Sequence, residues 1–87
     1  MKSYTTDDFW AMFEKLPLHI QELAREKYNL WKENPQHPSL QFKKIRGSIY
    51  SARTNDSYRA VGILDEGDMI WFFIGTHTEY DKLLSQL

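Results

Sequence analysis

Apolar residues recur at helical spacing through the first part of the chain and at a two-residue period thereafter, and that switch divides the molecule. Phe9, Met12, Phe13 and Leu16 mark one stripe of a first helix. Thr5 or Thr6 is placed to cap it, and Asp7 and Asp8 fall in its first turn, where the helix dipole favours negative charge. Pro17 cannot continue that helix but suits the start of another, so Leu16-Pro17 reads as a corner between two helices. The second helix runs from about Pro17 to Glu33, with Ile20, Leu23, Ala24, Lys27 and Trp31 on one face. Asn34-Pro35 stops it, and residues 36–39 form an extended connector in which His37, like His19 earlier, is expected to be exposed and inert.

Beyond that point the pattern is that of strands. Leu40 to Ile45, Ile49 to Thr54, Tyr58 to Leu64 and Met69 to Gly75 are separated by Gly47, by Asn55-Asp56-Ser57 and by Asp65-Glu66-Gly67-Asp68, all of them turn chemistry. The last strand is apolar on both sides (Ile70, Trp71, Phe72, Phe73, Ile74), which predicts cover on both faces. Thr78 would cap a final helix over Glu79 to Leu87, with Asp81 at the capping-box position and Tyr80, Leu83, Leu84 and Leu87 buried. Residues 2–5 offer a short edge strand. The order predicts an α+β fold in two layers: an N-terminal helical hairpin on an antiparallel sheet of three to four strands, then a short C-terminal helix.

Eighty-seven residues make a single domain, 1–87, and its 15% aromatic content compensates for its small size. The absence of cysteine fits a reducing, cytoplasmic setting and excludes disulfides and thiolate metal sites. No apolar run approaches the roughly 20 residues that span a bilayer, and no membrane partner is expected. The net charge of -1 conceals a gradient. Residues 39–60 carry Lys43, Lys44, Arg46, Arg53 and Arg59 against Asp56 alone, whereas residues 61–87 carry Lys82 against five acids. Screening confines each charge to about 8–10 Å, so a local basic face can bind a polyanion on a near-neutral protein. A solvated strand face bearing ordinary lysines is the plain alternative.

Arg53 and Arg59 share a sheet face only if opposed residues on their strands sum to an even number, which requires an odd loop such as Asn55-Asp56-Ser57. Two opposed arginines repel, so an anion between them would favour that register where packing would not; two unrelated surface arginines remain the alternative. His77 lies where the most apolar strand meets the last helix, a place suited to anions, with Tyr80 three residues on. A capped turn and a core aromatic would account for the same pair.

The run LPLHIQELAREKYNLWKENPQHPSLQFKKI, then YSAR, YRAVG and WFFIGTHTEYDKLL, resembles the RelE/ParE superfamily of toxins from bacterial type II toxin–antitoxin pairs. The resemblance covers nearly the whole chain and implies a helical hairpin against a curved antiparallel sheet. RelE-like members cut messenger RNA on the ribosome; ParE-like members poison DNA gyrase without chemistry. For a nuclease, the resemblance implies Arg59 on the phosphate, His77 as acid or base, and Tyr80 orienting the phosphate or stacking on a base. Arg53 would assist, Lys43, Lys44 and Arg46 would hold the RNA backbone, and neither a metal nor an organic cofactor is needed. RelE itself carries lysines where this chain has Ser51 and Ala52, which keeps the gyrase-directed alternative open. The implied partners are a cognate antitoxin seated on apolar surface beside the sheet and the last helix, the ribosome and mRNA (or gyrase), and operator DNA only through the antitoxin.

Overall fold

The computed structural model describes residues 2–87. Its elements run β1 (Ser3–Thr5), α1 (Asp7–Glu14), α2 (Leu18–Glu33), a 3-10 turn (Pro38–Leu40), β2 (Lys43–Arg46), β3 (Ile49–Asn55), β4 (Tyr58–Asp65), β5 (Asp68–Thr76) and α3 (His77–Gln86). The strands form one sheet in the order β1-β5-β4-β3-β2. The four strands from β2 to β5 pair antiparallel. The short edge strand that residues 2–5 offer is present as β1 and completes a five-stranded sheet; it runs parallel to β5, so the sheet is mixed. After the two helices the chain re-enters at the far edge as β2, and the three antiparallel reversals that follow bring β5 alongside β1 in the parallel sense.

Thr6 caps α1 by accepting a hydrogen bond from the Phe9 N–H at 3.1 Å. The corner at Leu16-Pro17 is closed from α2, where the Gln21 side-chain amide donates to the Leu16 carbonyl at 3.0 Å. Two boundaries differ from the sequence expectation. Leu40 does not open a strand but ends the 3-10 turn. Pro38 starts that turn, His37 Nδ1 accepts from the Ser39 N–H, and Gln41 takes a left-handed φ of 44°. This drops Leu40 into the core at 1% exposure and delays β2 to Lys43. His37 is thus half-buried and structural. At the other end, α3 begins at His77, with Thr76 and Glu79 forming a reciprocal capping box in place of Thr78 and Asp81. Leu87 stays 38% exposed instead of buried.

The sheet's two faces carry separate cores. Under α1 and α2, Trp31 and Leu40 pack on Ala52, Met69 and Trp71, with Phe42 and Tyr50 against them. The Trp31 ring meets those of Trp71 and Phe42 edge-on, at 5.3 and 5.7 Å. The indole N–H groups of Trp31 and Trp71 are buried without a hydrogen-bond acceptor among the described residues. Gly62 is required opposite Trp71, because a Cβ there would lie 2.9 Å from the indole. On the opposite face α3 covers Val61 and Phe73 with Tyr80, flanked by Leu83 and Leu84. β5 therefore has cover on both sides, as its unbroken apolar run implies. Irregular pairing interrupts β2–β3, β3–β4 and β4–β5, and each such bulge bends the sheet.

Candidate functional site

The β3–β4 hairpin is what brings the charged residues together. The strands end at Asn55 and resume at Tyr58, so the connection is Asp56-Ser57, shorter by one residue than the sequence suggested. A loop of that parity would set Arg53 and Arg59 on opposite faces. The pairing instead slips between Arg53 and Asn55, with Thr54 as the extra residue, and Arg53 stands directly opposite Arg59. Asn55 holds the turn, its side-chain oxygen accepting from the N–H groups of Ser57 at 2.8 Å and Tyr58 at 3.0 Å.

Pairing continues the row. Arg59 opposes Gly75 on β5, and α3 starts two residues later. The parity that puts Val61 and Phe73 under α3 puts Arg53, Arg59 and Gly75 on that same face. Gly75 leaves room for the first turn of α3, since a Cβ there would come within 2.8 Å of the Glu79 carboxylate. The His77 N–H donates to the Ser57 carbonyl at 2.8 Å, fastening the start of α3 to the arginine hairpin. The imidazole of His77 stands edge-on to the Tyr80 ring, centres 5.7 Å apart.

Each group is locally engaged. The Arg53 guanidinium pairs with the Asp56 carboxylate. Arg59 is half-buried, and its guanidinium donates to the Asn55 and Tyr58 carbonyls, which leaves its charge without a carboxylate partner among the described residues. His77 is exposed, with Nδ1 lying 3.2 Å from an Asp81 carboxylate oxygen. An Nδ1–H held by Asp81 leaves Nε2 free to take or give a proton. Tyr80 is 7% exposed, so its ring is chiefly core and only its rim is available. The Glu79 carboxyl titrates below its ordinary range. Hydrogen bonds from the Thr76 N–H and hydroxyl hold its carboxyl below the usual value, with Lys15 and Lys82 adding to the effect.

Lys43, Lys44 and Arg46 lie on the exposed edge strand β2 but do not form one patch. Lys43 opposes Ser51 and Arg46 opposes Ile49, on the α3 face, while Lys44 opposes Tyr50 on the other. Arg46 is further occupied, donating to the Leu87 carbonyl at the end of α3. Sequence reasoning missed the pairing role of Asp81, which it had placed in the capping box; its i, i+4 spacing from His77 was the available signal. It likewise missed Asp56 as partner to Arg53. Ser51 and Ala52 are buried strand residues. No group of three or more metal-binding side chains occurs among the described residues, and no helix among them is long and apolar enough to cross a membrane.

No protein-family model matches the sequence, and no curated protein does. Solved structures do. The RelB–RelE antitoxin–toxin complex from Methanococcus jannaschii matches at TM-score 0.73 and 16% identity, covering 92% of this chain and 96% of that one. The YoeB/ParE toxin from Agrobacterium tumefaciens matches at 0.70 and 16%, covering 88% and 99%. The isolated E. coli RelE toxin matches at 0.65 and 16%, covering 99% and 98%. Agreement along almost the full length of each, from helical pair through bent sheet to final helix, shows that this chain has the RelE/ParE toxin fold.

Proposed function

We propose that this protein is the toxin of a type II toxin–antitoxin pair and cuts messenger RNA on the ribosome. The observation that carries the reading is the Arg53–Arg59 opposition. Like charges directly opposed across strands cost stability, and the Thr54 bulge imposes that register against the parity of the short loop. An anion on that face gains from Arg59, which has no carboxylate partner among the described residues, and from Arg53 where it displaces the exposed Asp56 carboxylate. Cleavage of RNA by its own 2′-hydroxyl needs a base for that hydroxyl, neutralisation of the pentacovalent phosphate, and a proton for the departing 5′-oxygen. Arg59, with Arg53 beside it, serves the phosphate, since a guanidinium stays charged and can bond two oxygens. His77 moves the proton, held in one orientation by Asp81. The rim of Tyr80 bounds the site.

A cognate antitoxin would sit on the α3 side of the sheet, where Ile63 and Leu87 are each 38% exposed beside half-buried Ile49 and Ile70. Of the three tryptophans only Trp10 is exposed; Trp31 and Trp71 belong to the core and take no part in such a surface. Operator DNA would be reached through that antitoxin.

A second reading, a gyrase trap without chemistry, is favoured by the burial of Tyr80 and by the hydrogen bonds that tie Arg59 to its own hairpin. Primer extension on mRNA in a translating extract, run beside a gyrase supercoiling assay, decides between them. New RNA ends with normal supercoiling support the nuclease. Intact transcripts with inhibited supercoiling overturn it in favour of the trap.

A further inference from the structure

The α1–α2 side of the sheet contains a cavity that neither the proposed reaction nor antitoxin docking uses. It encloses about 160 Å³, close to the roughly 150 Å³ of an apolar cavity that takes up benzene. Its origin lies in three small residues at core-facing positions. Ala24 on α2 faces Ala52 on β3 and Ala60 on β4, and a leucine at any of them would close the space. Aromatic walls surround it, with Trp31 and Trp71 at the floor and Trp10, 40% exposed, at the mouth.

The charged groups in the lining have one sign. Arg25, Lys27 and Arg53 contribute to it and no carboxylate does. Arg53 is neutralised by Asp56, and the Arg25 guanidinium lies on the outer rim, 5.0 Å from the centre of the Phe13 ring. Lys27 is different. It occupies the inward stripe of α2 between Ala24 and Trp31, half-buried, and its ammonium bonds the Ser39 hydroxyl at 3.1 Å with no carboxylate partner among the described residues. A half-buried ammonium at a core-facing position, bonded to a hydroxyl and to no carboxylate, leaves charge beside the hollow with which an anion can pair.

We infer that this cavity is a binding site for a small aromatic carboxylate, whose ring fills the space between the Ala24, Ala52 and Ala60 side chains while its carboxylate pairs with Lys27. The inference does not rest on the nuclease reading: Arg53 borders the cavity as well, but the contacts proposed here are to Lys27 and the three alanines, on the other face of the sheet from Arg59.

The test is an NMR titration of the full chain with benzoate and with benzyl alcohol, its neutral counterpart, following the indole N–H signals of Trp31 and Trp71. Benzoate should shift both saturably with a dissociation constant on the order of a millimolar, as a ligand of that size allows. Benzyl alcohol should bind more weakly. Lys27→Met should weaken benzoate about tenfold, the loss of one charge-assisted hydrogen bond, and leave benzyl alcohol unchanged. Ala24→Leu, which keeps a good helix former, should abolish both while the melting temperature holds or rises. Absent or unsaturable shifts, equal affinity for the two probes, or a Lys27→Met variant that binds benzoate normally would each overturn the assignment. Shifts of those indoles only on adding a protein partner would give the cavity to that partner's side chain, and would also overturn it.

Discussion

On the face covered by α1 and α2, the rings of Trp31, Phe42, Tyr50 and Trp71 interlock at centre distances of 5.1 to 6.3 Å. On the face covered by α3, Val61 and Phe73 support a single buried tyrosine, and immediately beyond them two arginines face each other across the strands. One face is an extended apolar core. The other is a small core that stops where charge begins. A sheet bending through its bulges needs only one thick face to be stable, and the thin face is where strained registers and opposed charges are tolerable.

That contrast breaks most sharply on the α3 face. His77→Ala should lower mRNA cleavage by roughly 10²- to 10⁴-fold, the usual worth of a positioned acid or base. Its unfolding midpoint should stay put, because the side chain is exposed. A variant that cleaves normally would return the proton transfer to another group. On the opposite face the expectations invert. Trp71→Ala should cost about 3–5 kcal/mol in urea unfolding, enough to deplete a domain of this size, and any loss of toxicity should track the unfolded fraction. A Trp71→Ala midpoint close to the parent's would deny that the aromatic face holds the fold.

A smaller effect is expected where the two regions meet. Thr76→Ala removes a cap and should cost about 1 kcal/mol, read as faster amide hydrogen exchange confined to α3. The Glu79 carboxyl, lowered below its ordinary 4.5 by the Thr76 hydrogen bonds, contributes stability that is fully present above that value and is lost as pH falls through the lower folded one. Glu79→Gln should therefore weaken α3 at neutral pH and flatten its acid-side loss; an unchanged acid limb would remove the capping box from the account. The smallest change belongs to Asp81→Asn. Paired with His77 on the surface, it should leave stability within about 0.5 kcal/mol and alter cleavage mainly through its pH profile. A pH profile identical to the parent's would reduce the pair to a surface contact.

Much of this was legible in the chain. Helical spacing from Phe9 to Trp31 and the two-sided apolar run of β5 announced the layers, and turn residues placed the hairpins. Misplaced features share a cause: short-range side-chain bonds decide between equally plausible starts. Thr76 and Thr78 both stand ahead of an acid three residues on, and only the close approach of Glu79 to Gly75 favours the first. Leu40 fits a strand by composition, yet the His37–Ser39 bond turns it inward. The juxtaposition of Arg53 with Arg59 depends on loop parity as read from the sequence. The condition is met through a bulge at Thr54 that no local pattern signals, because bulges answer to tertiary pairing.

The most direct measurement takes growth arrest and urea unfolding together on one variant, Arg59→Ala, at matched expression. Growth should be restored while stability falls by no more than about 1.5 kcal/mol, the worth of the hairpin hydrogen bonds lost. Full growth arrest from a folded Arg59→Ala protein would contradict it.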